Sequence, residues 1–272
     1  MTDPWTRGGR VTAADIAPYL KGEAQHLRLE VFEQVDSTNR VVQDMAAQGA
    51  PEGAAALAWS QTAGRGRRGR QFFSPPGTGL YLSLLLRPNA LSPADAVYLT
   101  SAAAVAVSLA IEEVSSQQAR IKWVNDVWIG EKKVCGILVE GAMSADMGHL
   151  DYAVLGMGVN LIPPPDGFPP ELEQVAGAVF TPETITEDAR SRLAAGIVNH
   201  FMAFYRQLPH PAFWEAYRER SFLLGRPVTV ARGNQRQEAV ALDLDHACRL
   251  LVRYADGREE WLDSGEVSAK PR

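Results

Sequence analysis

Hydrophobic positions change their period several times along this chain, and the changes outline its elements. Residues 27–35 alternate apolar and polar side chains and predict a strand. The polar cluster Asp36-Ser37-Thr38-Asn39 follows, then positions 41–47 at helical spacing, closed by Gly49. Residues 54–60 and 80–86 are almost continuously apolar, the pattern of strands buried on both faces. Ser92-Pro93-Ala94-Asp95 joins an N-cap residue to a proline at the first helical position, and an alanine-rich helix is expected from there to about residue 114. Its small residues suit close packing against a sheet. Residues 120–129 and 133–140, either side of a turn near Gly130, predict a hairpin. A further apolar strand is expected at 152–161, and the proline-rich stretch 163–170 reads as a loop. Thr184-Ile185-Thr186-Glu187 has the spacing of a capping box for a helix through about residue 207, with another helical piece at 213–220. A short helix is expected at 12–21.

From Gly225 the helical period disappears. Short strands are expected at 228–231, 237–244, 248–254 and 259–262, with Asp256-Gly257 as a hairpin turn. Cys248, Leu250, Val252 and Tyr254 fall on one face, Arg249 and Arg253 on the other. The expectation is an α+β core over residues 1–224, its first 25 residues a short extension, followed by a small all-β barrel over 225–272.

Composition narrows the classes. With 272 residues, 46% hydrophobic and 22% charged, the chain has room for one large core and a small second domain. Met1-Thr2-Asp3-Pro4-Trp5 opens without an apolar run, so no secretory signal is expected. The longest apolar stretch, 102–111, is well short of the ~20 residues that span a bilayer. Neither a membrane nor DNA is an expected partner, since only about 35 residues precede the core, too few for a helix-turn-helix domain. Cys135 and Cys248 read as reduced thiols of a cytoplasmic protein. The scattered histidines make no H-E-x-x-H, and no protein-ligated metal is expected. G-x-S-x-G and the Walker A motif are absent.

Against a net charge of -5, the segment Gln61-Thr62-Ala63-Gly64-Arg65-Gly66-Arg67-Arg68-Gly69-Arg70 sets four arginines among three glycines. Guanidinium forks suit carboxylate and phosphate oxygens, and glycines let backbone approach a ligand. Gly64, Gly66 and Gly69 satisfy G-x-G-x-x-G, but the dinucleotide reading fails in context. Gln71-Phe72-Phe73-Ser74-Pro75-Pro76-Gly77 cannot open a helix, and about 20 residues on, where that fold needs an acidic residue, stand Leu84 to Arg87. A nucleic-acid patch would need a wider basic stripe. A pocket for a small anion is the leading reading, against a merely solvated loop.

Three other motifs sit at strand ends: Ser37-Thr38-Asn39, Lys122-Trp123-Val124-Asn125-Asp126 and Gly156-Met157-Gly158-Val159-Asn160. Each has a plain structural explanation. Ser37 could cap its helix, Trp123 could be core, Gly156 and Gly158 could ease strand packing, Asp126 could be a turn residue and Lys122 a snorkelling cation. Their combination is harder to explain that way.

The combination resembles the biotin protein ligases over residues 31–270 in colinear order. QTAGRGRRGRQFFSPPGTGLYLSLLLRP is similar to that family's signature loop and following strand. KWVNDVWIGEKKVCGILVE resembles its lysine motif, with Val124 where proline is usual. GMGVNL resembles its glycine-x-glycine strand, and GEVSAK the end of its C-terminal barrel. The resemblance implies a mixed β-sheet covered by helices, of the kind found in class II aminoacyl-tRNA synthetases, with an SH3-like C-terminal domain. It implies ATP and biotin as substrates, Mg2+ with the nucleotide, biotinyl-5'-AMP as intermediate, and a lysine of the biotin carboxyl carrier protein of acetyl-CoA carboxylase as acceptor. A lipoate or octanoate ligase of the related fold is the alternative. A homodimer is left open.

By the same resemblance, Lys122 and Arg67 are the catalytic cations. Ser37, Thr38, Asn39, Gln61, Arg65, Gly66, Arg67, Lys122, Trp123, Gly156 and Gly158 would meet biotin. Gly64, Arg65, Arg67, Arg70, Phe72, Lys122, Asn125, Asn160 and Lys270 would meet the nucleotide. A neutral urea requires matched donors and acceptors, because a buried unmatched one costs about 1–3 kcal/mol.

Overall fold

The computed structural model describes residues 11–89, 91–143, 150–233, 235–263 and 265–269. A seven-stranded sheet forms its centre, in the order β1-β2-β3-β7-β6-β5-β4. The strands are β1 (Arg28–Phe32), β2 (Ala54–Ala58), β3 (Gly79–Leu86), β4 (Ala119–Lys122), β5 (Asp126–Ile129), β6 (Lys132–Met143) and β7 (Leu150–Asn160). Only β1 and β2 pair in parallel, so the sheet is mixed.

The two faces of the sheet are covered unequally. On β3, Leu80, Leu82, Leu84 and Leu86 join the main core, whereas Leu85 packs with a smaller cluster on the other side. The main core takes in α3 (Ala96–Ser115), and α5 (Ala189–Tyr205) lies against it. A methyl on Gly196 of α5 would sit 3.2 Å from Ala110 Cβ of α3, so the small residues let the two helices approach closely. By length and composition α3 is apolar enough to cross a membrane, a property that the count of consecutive apolar residues does not reveal. Here its apolar surface is taken up by sheet and helix. The opposite face carries only α2 (Thr38–Ala47), through Val42 and Ala46 against Ala54, Ala56, Leu85 and Val154. The rest of that face carries no helix among the described residues, and the Phe72 ring lies on part of it.

Several expected boundaries move. Helix 12–21 is a single α-turn, α1 (Ala13–Ile16), followed by 3-10 turns, because Pro18 removes a backbone donor. Residues 120–129 are not one strand. The chain reverses at Trp123-Val124-Asn125, so that Lys122 pairs with Asp126 across β4 and β5. Two apolar residues at a turn hid the reversal; both are buried by tertiary contacts. The Thr184 capping box starts no helix: its hydroxyl accepts from Thr181 N, and α5 begins at Ala189. Pro170 opens the short α4 (Pro170–Glu173) rather than closing a loop.

After α6 (Trp214–Arg220) the chain forms β8 (Pro227–Arg232), β9 (Gln235–Leu244), β10 (Leu250–Tyr254), β11 (Glu259–Leu262) and β12 (Glu266–Ala269). These make an antiparallel sheet in the order β11-β10-β9-β8-β12. Leu250, Val252 and Tyr254 point inward, as their alternation predicts. The apolar interior runs unbroken from the first sheet into the second. Two indoles fasten the units: Trp123 Nε1 donates to the Cys248 carbonyl at 2.8 Å, and Trp214 Nε1 to the Asp245 carbonyl at 2.7 Å. Tyr217, fully buried, donates to the Val124 carbonyl at 3.1 Å.

Substituting Trp123→Phe leaves the Cys248 carbonyl without its donor, and a loss of about 1–3 kcal/mol in unfolding free energy is expected from urea titration. An unchanged midpoint would mean that this bond does not fasten the two units.

Candidate active site

The helix-free part of the sheet face owes its shape to missing side chains. Gly136 of β6 pairs with Gly158 of β7, and Leu138 with Gly156. A methyl on Gly158 would lie 2.8 Å from Phe72 Cε1, and one on Gly156 would collide with Asn39 Oδ1. Glycine is thus required at both positions, and the strands expose backbone as a floor. Over this floor lies a cavity of about 60 Å3, walled by the start of α2, the arginine–glycine loop, Tyr81 and Leu138.

One wall is a directed hydrogen-bond chain. Ser74 Oγ donates to the Phe72 carbonyl at 2.9 Å, and Gln61 Nε2 donates to Ser74 Oγ at 3.0 Å. Gln61 Oε1 then accepts from Thr38 N at 2.9 Å. From the other end, Asn39 Nδ2 donates to Glu140 Oε2 at 2.8 Å, and Asn39 Oδ1 accepts from Ser83 Oγ at 2.7 Å. Both ends stop at groups that only accept, a carbonyl and a carboxylate, so the orientation of both amides is set by the network. Thr38 Oγ1 lies between them, 2.8 Å from Ser83 Oγ and 3.2 Å from Gln61 Oε1. Ser37 occupies the N-cap position of α2, yet its hydroxyl makes no capping bond.

The four loop arginines are divided among different partners. The loop folds back on itself, with Gly66 N on the Arg70 carbonyl and Phe72 N on the Gly64 carbonyl, both at 2.8 Å. Arg65 Nη1 lies 3.2 Å from Glu140 Oε1 and 3.3 Å from Gln43 Oε1. Arg68 and Arg70 reach Glu266 of β12 at 3.3 and 2.6 Å, and the Arg70 hydrogen bond lowers the Glu266 carboxyl below its usual range. Arg67 turns inward, donating to Asn125 Oδ1 at 2.7 Å, and makes no ion pair among the described residues. Burial, helped by the charge of Arg68, lowers its pKa from the ordinary arginine value.

Beyond Arg67 opens a second cavity, of about 400 Å3. Lys122 enters it from the end of β4 without a carboxylate partner among the described residues, its ammonium 5.5 Å from the Trp128 ring centre. Burial lowers its pKa below the ordinary lysine value. Lys133 is held by Asp126 at 2.7 Å. Phe168, Leu172 and Val175 give an apolar side, near Asn160, whose Nδ2 donates to the Gly177 carbonyl at 2.9 Å. Gly66, Arg67, Phe72, Asn125 and Lys133 border both cavities. The described residues contain no cluster of three or more side chains suited to a metal, though Asp126 and Glu266 line the larger cavity and could reach a cation carried on phosphates.

The family profile described as Biotin/lipoate A/B protein ligase family matches residues 31–160, and that described as Biotin protein ligase C terminal domain matches residues 223–269. The Biotin--[acetyl-CoA-carboxylase] ligase of Mycobacterium tuberculosis is 30% identical over 88% of this chain and 88% of that protein. This chain belongs to the biotin protein ligase family. The Bifunctional ligase/repressor BirA of Bacillus subtilis is 33% identical over 77% of the chain, which spans 65% of that protein's length. Among solved structures, the biotin protein ligase from Aquifex aeolicus in complex with biotin and ATP superposes with a TM-score of 0.72 at 26% identity, covering 90% of this chain and 99% of that one.

In this biotin protein ligase fold, most residues expected at the biotin site converge. Ser37, Thr38, Asn39, Gln61, Arg65, Gly66, Arg67, Gly156 and Gly158 line the small cavity. Lys122 and Trp123 do not; they border the larger one, and Trp123 also anchors the C-terminal unit through its indole. Of the residues expected at the nucleotide, Arg67, Arg70, Phe72, Lys122, Asn125 and Asn160 border the larger cavity, and Gly64 and Arg65 do not. Gly64 serves the loop's own turn, since a methyl there would collide with the Phe72 carbonyl. The Phe72 ring lies on Gly136 and Gly158, edge-on to Tyr81, rather than facing the large cavity alone. Lys270 lies outside the described residues. The peptide bond between Trp123 and Val124, where proline is usual, is cis.

Sequence reading missed Lys133, Ser83, Glu140, Gly136 and Glu266 as site residues, and it weighed Asp126 only as a turn residue. The pairing of Gly136 with Gly158 needed strand register, and so did the approach of Lys133 to Asp126. Only the fold brings them in.

A desolvated cation without a carboxylate weakens the ligand-free protein. Lys122→Met is therefore expected to leave unfolding free energy unchanged or to raise it by up to about 1 kcal/mol, checked by thermal or urea unfolding without ligands. A clear loss of stability would show that Lys122 is a structural cation.

Proposed function

We propose that this protein activates biotin with ATP and transfers it to a lysine of a biotin carboxyl carrier protein, that of acetyl-CoA carboxylase. A biotin carboxylate oxygen attacks the α-phosphorus, pyrophosphate leaves, and biotinyl-5'-AMP forms. The acceptor amine then attacks the acyl carbon, AMP leaves with the bonding electrons, and the amine loses a proton. One observation carries the reading: a small cavity walled by matched amide and hydroxyl groups opens into a larger one at Arg67 and Lys133, with Lys122 beyond. The biotin and ATP named for the Aquifex aeolicus structure support it, as does the acceptor enzyme named for the Mycobacterium tuberculosis relative. Free thiols at Cys135 and Cys248 suit a cytoplasmic setting.

The roles follow from electrostatics. A carboxylate and a phosphate 4 Å apart repel by about 4 kcal/mol at an effective dielectric of 20. Arg67, Lys133 and Lys122 offset that repulsion at the point where the cavities meet, and Lys122 stabilises charge developing on phosphorus and then on the acyl oxygen. The ureido head would take the donors and acceptors at Ser37, Thr38, Asn39 and Gln61. At about 60 Å3 the small cavity is below the range of a small-molecule site, roughly 300 Å3 and upward, so the Phe72 ring has to leave the glycine floor as biotin enters. The loop then folds over the mixed anhydride and excludes water. Magnesium enters as MgATP, with Asp126 and Glu266 the carboxylates in the nucleotide cavity.

Pyrophosphate release should require biotin and should not follow from lipoate; release with lipoate alone would overturn the biotin assignment in favour of the related lipoate ligases. Lys122→Ala should slow adenylation by about 10²–10³ with the fold intact, as for loss of one oxyanion donor.

The lowered pKa of Lys122 also sets a pH limb. Its cation is needed, so activity should fall as pH rises through a value below the usual lysine pKa of about 10.4. In a pH–rate profile, Lys122→Arg should move that limb upward, and an unmoved limb would assign it elsewhere.

A further inference from the structure

We infer that Glu140 is the positioning residue that holds the arginine–glycine loop closed, forming an ion pair with Arg65 of the loop through one oxygen and accepting from Asn39 of α2 with the other. The inference deepens the biotin-ligase reading and rests on it. Glu140 follows Gly136 and Leu138 on the same face of β6, paired with Val154 of the α2 core. Its side chain is only 23% exposed, an unfavourable place for a carboxylate without donors.

Both donors are present, on opposite sides: Asn39 Nδ2 at 2.8 Å and Arg65 Nη1 at 3.2 Å. Only a carboxylate offers an acceptor to each. An amide there would turn its own NH2 toward one of them. The other group facing Arg65 is the neutral Gln43 of α2. Glu140 thus does two things at once. It keeps the Asn39 carbonyl turned to Ser83, which sets the polarity of the cavity wall. It also holds the loop against the rigid centre of the sheet. Arg65 begins the short bridge that pairs with Gln71, next to Phe72, so the Glu140 contact anchors one end of the segment from which that ring shifts when biotin enters.

A consequence concerns the division of labour among the loop cations. With Arg65 on Glu140 and Arg68 and Arg70 on Glu266, Arg67 is the loop cation left for the ligand's acid group. Arg65 acts on the ligand through closure of the loop. Weakening the Glu140 contact should therefore speed escape of bound ligand more than it slows the chemical step.

The test compares biotin release from the unaltered protein, Glu140→Gln, Arg65→Gln and the double variant, by displacement of bound biotin, together with kcat and KM for pyrophosphate release. Each single substitution is expected to speed release about tenfold, equivalent to about 1.4 kcal/mol, with the effect on KM for biotin exceeding that on kcat. The double variant should release no faster than Glu140→Gln alone, because Arg65→Gln removes only a contact that the Glu140 substitution has already removed. Glu140→Asp, a carboxylate too short to span both donors, should fall between. Additive effects in the double, or release from Glu140→Gln at the unaltered rate, would overturn the inference. Arg65 is on an exposed loop, so its variant gives the answer even if substitution at Glu140 prevents folding. If the unaltered protein binds no biotin, the functional reading itself fails; if it binds and the variants match it, only the role of Glu140 does.

Discussion

Two half-buried cations have no ion-pair partner among the described residues, and much of the molecule is arranged to make that tolerable. Arg67 rests on the Asn125 carbonyl oxygen and Lys122 lies over the face of Trp128, neutral partners that orient charge without cancelling it. Full ion pairs at either place would stabilise the empty protein and leave nothing for an incoming anion. The neighbouring charges are spent elsewhere: Asp126 on Lys133, Glu266 on Arg68 and Arg70, Glu140 on Arg65. On the proposed reading, cations without ion pairs are preorganised for phosphate and carboxylate, and they carry a stability cost the rest of the fold has to cover.

That cover comes from the far side of the sheet and from the C-terminal unit. α3 and α5 lie over leucine-rich β3 in one continuous apolar core, while α2 covers only part of the other face. This asymmetry is what leaves room for a site. The turn carrying Lys122 and Asn125 is gripped from two directions, by Trp123 on the Cys248 carbonyl and by Tyr217 on the Val124 carbonyl. The C-terminal sheet is therefore part of the catalytic scaffold. Through Glu266 it also holds the cationic loop, so one short domain bears on both the turn and the loop.

Much of this was legible before any coordinates. Period-two and period-3.6 patterns located most strands and the long helices, and the glycine-separated arginines do border the two cavities. Where reading failed, a tertiary contact had overridden a local signal. Trp123 and Val124 looked like strand interior because apolar residues seldom make a turn; they do so here because both are buried, with Trp123 bonded to Cys248 and the Val124 carbonyl to Tyr217. Thr184 has capping-box spacing but is bound within the turn from Thr181. Glu140 and Ser83 sit in apolar runs, where a lone polar residue has no visible partner until strand register and α2 bring Asn39 between them.

Residue order alone was enough for the kinds of element, the two-part organisation and the presence of a cationic loop beside a lysine turn, because these depend on neighbours a few positions apart. Which arginine turns inward, which amide points which way and which glycines lie back to back depend on residues 13 to 198 positions distant meeting in space. Hydrogen bonds and ion pairs act over about 3 Å, a distance set by how the sheet, α2 and the C-terminal unit pack, and no spacing along the chain encodes it.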